Sequence, residues 1–383
     1  MRIAFVTHAY PRHDGDVAGA FIERLAVALR ARGHDVRVVA PSDEGRGGAE
    51  TRHGVPITRV RYAAAHRETL AYRGTLAVAG RTPAGMAGGA TLVWRQARLL
   101  AELRRTDRVD VVHAQWWVPG GVSAYLSGRP YVVTLHGMDV VLLEQSRLAR
   151  LVAGRVLRAA AAVTAVSSDL ARRAARMLHL EAERIVVQPM PIDPGWFAGH
   201  SVGGGGVVTV GRLTVRKRIP LLLEALAMLR AGGRALPLTI VGDGQERASL
   251  ERRTAELGLG GQVRFLGELP PARVRAAIEQ ADVFAFPALG EGLGLAAVEA
   301  LLCGIPVVAA RDGGGVCDIV PERGAGRLVQ PTAEAIARGI AELMSDPDAR
   351  RLAAETGAAL HHRLDPEAVA ARFEALYRAA AAA

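Results

Sequence analysis

Among the 48 basic side chains of this 383-residue chain there is a single lysine, Lys217; the other 47 are arginine. Aromatic residues amount to 4% and there are two cysteines, Cys303 and Cys317. Each scarcity excludes something. Two cysteines without metal-type spacing make neither a disulfide scaffold nor a thiolate metal site, which fits a reducing cytosol. With so few rings, the cores must be filled by Ala, Val and Leu. Long apolar runs are also missing: the stretch near 151–166 is broken by Arg155 and Arg158, and that near 295–310 by Glu299, Gly304 and Pro306, so neither can span a bilayer. The apolar start, Ile3 to Val6, runs into His8 and Pro11 and is too short for a signal peptide. No repeat of 20–50 residues is present.

What is there points to two domains. The length exceeds one ordinary domain, and 50% hydrophobic residues suffice for two cores. The net charge of +10 is unevenly shared: residues 1–190 carry 27 basic against 16 acidic side chains, residues 191–383 carry 21 against 22. Halves of such different charge suggest different partners. Continuous apolar runs predict strands buried on both faces of parallel sheets: 3–7, 36–40, 109–114, 131–136, 162–166 and 185–188, then 207–211, 238–242, 263–266, 283–287 and 306–310. Amphipathic helices are expected between them, among them 17–32, 221–231 and 245–257, with Gly33 and Gly258 as stops. Two consecutive βα series mean two doubly wound α/β domains. The break falls at 189–206, where Pro189, Pro191 and Pro194 precede the run Gly203–Gly206. Expected bounds are therefore 1–190, 191–365 and a last helix from 366 to the end.

Ligands of doubly wound sheets sit at the C-terminal ends of strands. After the strand at 207 comes Gly211-Arg212-Leu213-Thr214-Val215-Arg216-Lys217. A chain that writes nearly every positive charge as a planar guanidinium keeps one compact ammonium here, which suits a narrow place between phosphate oxygens. After the strand at 283 comes Glu291-Gly292-Leu293-Gly294-Leu295-Ala296-Ala297-Val298-Glu299. Its glycines let backbone amides approach a ligand, and Glu299 is an acid on an otherwise apolar helix face that calls for a partner: the diol of a ribose, or an arginine.

These two segments, with Val241-Gly242-Asp243-Gly244, Val263–Gly267, Pro306–Ala309, Gly313-Gly314 and Gly326–Val329, resemble the retaining GT-B glycosyltransferases of family 4. In the first half Arg32–Val36, His113–Trp116, Thr134–Gly137 and Ala165–Ser167 look similar to the same family. The resemblance implies two Rossmann-like domains facing across a cleft, and transfer of a sugar from a UDP- or GDP-sugar to an acceptor hydroxyl with retention, without metal and without a cofactor. It implies that Gly211, Arg212 and Lys217 hold the donor diphosphate, that Glu299 takes the ribose hydroxyls and that Glu291 faces the donor sugar. Gly292, Leu293, Gly294 and Leu295 would touch sugar and phosphate with their amides, Leu266 would hold the nucleobase by its backbone, and His136 and Gly19 would line the cleft from the first domain. The acceptor would bind the first domain, to which the last helix returns.

There are departures. Arg218 stands where the family usually has glycine, Met190-Pro191 replaces the usual Asn-Gly, Asp318 a common glutamate and Leu293 a common phenylalanine. Arg218 is expected to add bulk near the phosphates. Asp14-Gly15-Asp16, an Asp-x-Asp pair on a loop of the first domain, reads as a solvated turn. A dinucleotide-dependent dehydrogenase is disfavoured, because Thr7-His8-Ala9-Tyr10-Pro11 replaces the Gly-rich turn after the first strand. A Schiff-base enzyme using the lone lysine, a GT-B sugar-nucleotide epimerase and a non-catalytic nucleotide-binding subunit remain as alternatives. The arginine excess is densest at Arg59–Arg108, and Leu92–Arg108 has the pattern of a basic amphipathic helix. That leaves two acceptor readings: a neutral small molecule, or an anionic one such as a lipid-linked phosphate reached by peripheral membrane contact. No nucleic-acid partner is expected.

Overall fold

A computed structural model describes residues 1–72, 82–106, 109–128, 130–196 and 202–382. The chain divides into two compact units, Met1–Asp193 with Leu364–Ala383, and Pro194–Arg363.

The first unit is built on an eight-stranded sheet in the order β3-β4-β2-β1-β5-β6-β7-β8. The strands are β1 Arg2–Val6, β2 Asp35–Pro41, β3 Gly48–Arg52, β4 Val55–Val60, β5 Val111–Gln115, β6 Tyr131–Leu135, β7 Ala162–Ala165 and β8 Ile185–Val187. All neighbours run parallel except β3 and β4, a hairpin at the edge. That hairpin escapes the search for continuous apolar runs because β4 alternates: Val55 and Ile57 are buried while Pro56 and Thr58 are half-buried. The central strands read as expected, β1 and β6 being buried along nearly their whole length. The helix Ala20–Ala31 starts three residues later than its apolar pattern, since Gly19 at φ 78° forms its N-cap. The helix containing the basic pattern begins earlier, at Pro83, and runs to Thr106, with Leu92 and Leu100 buried and Trp94 on the solvent side. Arg73, Arg81, Asp107 and Arg108 of the arginine-rich stretch lie outside the described residues, as do 197–201 of the linker.

The last helix, Pro366–Ala382, belongs to this first unit. Asp365 caps it by accepting from the Glu367 and Ala368 amides at 2.8 and 3.2 Å, and proline follows at the first helical position. Its buried face presents Val369, Phe373 and Tyr377, and Arg32 fastens it through Glu374 at 2.9 Å.

The second unit holds a six-stranded, all-parallel sheet in the order β11-β10-β9-β12-β13-β14. These are β9 Val207–Val210, β10 Leu238–Val241, β11 Val263–Phe265, β12 Val283–Phe286, β13 Val307–Ala310 and β14 Gly326–Val329. The strand order reverses between β9 and β12, the switch point at which such sheets bind ligands. One core of Val, Leu and Ile, including Leu222, Leu226, Ile240, Val308 and Ile340, packs the helices Ile219–Ala231 and Ala333–Ser345 onto it. Each such side chain contributes about 1.5–3 kcal/mol through its removal from water.

Candidate active site

The strand ends β9 and β10 of the second unit are drawn together to an extent that only glycine permits. Gly242 sits at φ 125°, and a Cβ there would lie 2.1 Å from the Gly211 carbonyl oxygen. Its amide donates to the Gly267 carbonyl at 2.7 Å, while the Leu213 amide donates to the Asp243 carbonyl at 2.8 Å. The turns after β9, β10 and β11 are thereby latched into one floor. Leu266 belongs to that floor: its amide is engaged with Ile240 at 2.9 Å, and its side chain is exposed.

From this floor the chain makes the short turn Val215–Lys217 before the helix that starts at Ile219, so Lys217 precedes the helix instead of lying in it. The lone ammonium is aimed back at the strand ends. Lys217 Nζ is 3.2 Å from Glu291 Oε1 and 5.0 Å from the Phe286 ring centroid, and its stem lies against Gly211. Ammonium and carboxylate are both partly buried, at 18% and 26% exposure, where water screens their attraction incompletely. Arg212 is exposed and has no hydrogen bond or ion pair among the described residues.

Arg218, expected to add bulk near the phosphates, has its side chain engaged within the second unit. Arg218 has φ 50° and ψ 34°, the left-handed conformation, and this explains why a glycine suits the position. Its guanidinium turns to Asp312, meeting both carboxylate oxygens at 2.8 Å. Arg216, for which the sequence offered no role, donates to the Leu289 and Gly290 carbonyls at 2.9 and 2.8 Å. Arg216 thus clamps the loop that carries Glu291, while Arg218 holds the neighbouring loop at Asp312, whose carbonyl accepts from the Gly290 amide at 2.9 Å. On the loop's other side the Glu291 amide donates to Gly313 and the Glu291 carbonyl accepts from Gly315.

Beyond Glu291 the chain turns through Gly292, Leu293 and Gly294 into the helix Leu295–Leu302. Gly294 caps that helix at φ 84° without a side-chain partner. Among the described residues the amides of Gly292 to Ala296 have no acceptor, so one helix end presents a row of N–H groups beside Lys217. Glu299 lies one turn further on the same helix, half-buried. Leu293 is buried, and Asp318 ends the short turn Gly315–Asp318.

His136 and Gly19 are brought together inside the first unit. A Cβ on Gly19 would lie 2.5 Å from the Ala9 carbonyl oxygen, and Phe21, on the helix that Gly19 caps, has its ring 5.1 Å from that of His136. His136 Nε2 is 2.7 Å from Gln115 Oε1. Burial holds this imidazole neutral, well below its ordinary pKa, with His8 and His113 acting in the same sense. Asp139, also missed by the sequence reading, fixes the turn: its Oδ1 accepts from the amides of His136, Gly137 and Val140 at 3.1, 2.8 and 3.0 Å. Burial raises that carboxyl to about 6, although the amide bonds pull the other way. It binds its proton more tightly folded than unfolded, so it favours folding below about pH 4 and this contribution is lost as pH rises through 6. Wild type should therefore lose stability relative to Asp139→Asn between about pH 4 and 6, read by urea denaturation at both ends. A difference that is flat or rises across that interval contradicts the assignment.

The solvated reading of Asp14-Gly15-Asp16 holds for Asp14 alone. Asp16 is tied to Arg12 at 2.7 Å and to the Ala18 amide at 3.1 Å. Among the described residues no group of three or more His, Cys, Asp or Glu side chains is placed to hold a metal ion, and no helix is long and apolar enough to cross a membrane.

The family model of the group 1 glycosyl transferases matches residues 202–359, and that of glycosyltransferase family 4 matches residues 18–196. A 2-deoxystreptamine glucosyltransferase of Streptomyces kanamyceticus is 32% identical over 313 residues, 73% of this chain and 81% of that protein. A 2-deoxystreptamine N-acetyl-D-glucosaminyltransferase of Streptomyces fradiae is 30% identical over 293 residues, 68% of each chain. Among solved structures, sucrose-phosphate synthase of Thermosynechococcus elongatus superposes with a TM-score of 0.78 at 23% identity over 98% of both chains. HepE of Anabaena, solved with UDP and glucose, gives 0.73 at 22% identity, again over 98% of both. The chain belongs to the group 1 glycosyltransferases and has their GT-B fold; it is an enzyme that transfers a sugar.

Proposed function

We propose that the second unit binds a nucleoside diphosphate sugar and that the enzyme passes the sugar to a hydroxyl of a small polyhydroxylated acceptor, with retention and without a metal ion. The observation that carries this is the lone ammonium of Lys217 beside a row of unengaged amides at the β9–β12 switch point. The diphosphate lies between Arg212, Lys217 and the amides of Gly292 to Leu295. Its oxygens replace Glu291 as the partner of Lys217, and the released Glu291 carboxylate accepts from hydroxyls of the sugar. Glu299 takes the ribose diol, and the Leu266 backbone meets the base. As the sugar–phosphate bond breaks, negative charge grows on the leaving diphosphate; fixed cations and amide dipoles stabilise it in place, the task a metal performs elsewhere. A front-face departure assisted by that diphosphate needs no dedicated base, and none is assigned.

The first unit, with His136, takes the acceptor. The names of two relatives support a cyclitol-like acceptor, since both act on 2-deoxystreptamine. An anionic acceptor would instead draw on the arginine excess of the first unit, and its Michaelis constant would then rise with salt. The two glutamates are separated by experiment. Glu299→Ala should lose about tenfold in affinity for the bare nucleoside diphosphate by calorimetry, whereas Glu291→Ala should keep that affinity or gain and lose transfer rate. The reverse pattern would show the roles exchanged.

A further inference from the structure

We infer that Tyr377, on the C-terminal helix, is a positioning residue that fixes which nitrogen of His136 carries the hydrogen, through the relay Tyr377–His113–Gln115–His136. The consequence for catalysis rests on the reading that His136 lines the site; the relay itself is a matter of hydrogen-bond direction. Tyr377, His113, Gln115, Thr134 and Thr164 are all fully buried. Tyr377 Oη is 2.7 Å from His113 Nδ1, and His113 Nε2 is 2.7 Å from Thr134 Oγ1. Thr134 Oγ1 is in turn 2.7 Å from Thr164 Oγ1, which donates to the Val133 carbonyl at 3.5 Å.

A carbonyl only accepts, and this sets the direction of the chain. Thr164 donates to Val133, Thr134 to Thr164, and His113 Nε2–H to Thr134. His113 Nδ1 is left as a lone pair, to which the Tyr377 hydroxyl donates. Run the other way, the chain would strand the phenolic hydrogen, because His113 is the one partner of Tyr377 Oη among the described residues. A buried hydrogen without an acceptor is costly. The surroundings agree: burial holds His113 neutral, down to about 3, and holds Tyr377 protonated.

With both in-plane positions of His113 occupied, the Gln115 amide nitrogen sits over the ring, 3.2 Å from each ring nitrogen. A π face attracts an N–H and repels a carbonyl oxygen. The amide is thus oriented, and its oxygen faces His136 Nε2 at 2.7 Å. Since that oxygen accepts, Nε2 carries the hydrogen. The neutral ring keeps its lone pair on Nδ1, and His136 presents an acceptor, not a donor, to a substrate hydroxyl.

The test is a long-range proton–nitrogen correlation spectrum of the full chain labelled with ¹⁵N-histidine at neutral pH. Wild type should show His136 protonated at Nε2 alone. Tyr377→Phe keeps the ring packed on Phe373 and removes only the hydroxyl. It should mix the His136 tautomers and lower turnover about five- to tenfold, with the donor KM changed less than twofold. Gln115→Leu severs the relay next to His136 and should do the same, which keeps the test open if the first variant folds poorly. A single Nε2–H tautomer retained in both variants overturns the relay. Mixed tautomers with unchanged turnover uphold it, and remove His136 from the transfer step instead.

Discussion

Lys217→Ala should lower affinity for a nucleoside diphosphate by about one to two orders of magnitude, because a charge-assisted hydrogen bond contributes roughly 1.5–3 kcal/mol. The loss should exceed that in Arg212→Ala, whose guanidinium is exposed and screened by water. Lys217→Arg should restore only part of it. Lys217 Nζ sits between the Gly211 backbone, the Phe286 ring and Glu291, where a planar five-donor fork does not fit without displacing one of them. Removing the ammonium also leaves the Glu291 carboxylate uncompensated beside the incoming phosphates, so Lys217→Ala with Glu291→Gln should recover part of the binding. Calorimetry with UDP and GDP reads wild type and all four variants, and equal affinities for wild type and Lys217→Ala would refute the clamp.

Gly242→Ala should be among the most damaging single methyls in the second unit. The added carbon would meet the Gly211 carbonyl oxygen at 2.1 Å, and backbone cannot swing aside as a side chain tip can. Overpacking of roughly 1–3 kcal/mol, with about 1 kcal/mol more for the positive φ, gives a destabilisation of about 2–4 kcal/mol. The floor that holds Gly211 and Leu213 shifts with it, so nucleotide affinity should fall as well. Gly260→Ala is the control, since a Cβ there meets nothing within 4 Å. Urea denaturation of the two variants should separate them clearly; equal midpoints would mean that the latched turns are not what holds the site.

The sequence carried eleven of the parallel strands, because each is an apolar run and burial on both faces requires one; β4, which alternates, and β14, which holds Gly326 and Arg327 and is only partly buried, are parallel too but lack that run. It also carried the two segments of the second unit, since a turn that must approach a ligand writes glycine and charge at strand ends. What it hid follows from the composition. In a chain with 47 arginines, Arg216 and Arg218 look like any other surface cations, yet one clamps the Glu291 loop and the other closes a left-handed turn onto Asp312. In the β3–β4 hairpin β4 alternates and β3 is exposed along nearly its whole length, so neither carries the apolar run that marks those eleven strands. The Tyr377–His113 contact joins residues 264 positions apart, beyond the reach of any local pattern. Lys217 and Glu291 were both legible as site residues, but their pairing is a property of the folded turn.

Cleavage of the donor bond tests the proposed metal-free, retaining transfer most directly. Water can replace the acceptor, so a sugar nucleotide incubated with the enzyme in EDTA should slowly release its diphosphate and free sugar. Proton NMR taken before mutarotation should then show the anomer of the donor first. Release of the opposite anomer, or release that awaits magnesium or manganese, would contradict a metal-free, retaining transfer from the Lys217 site.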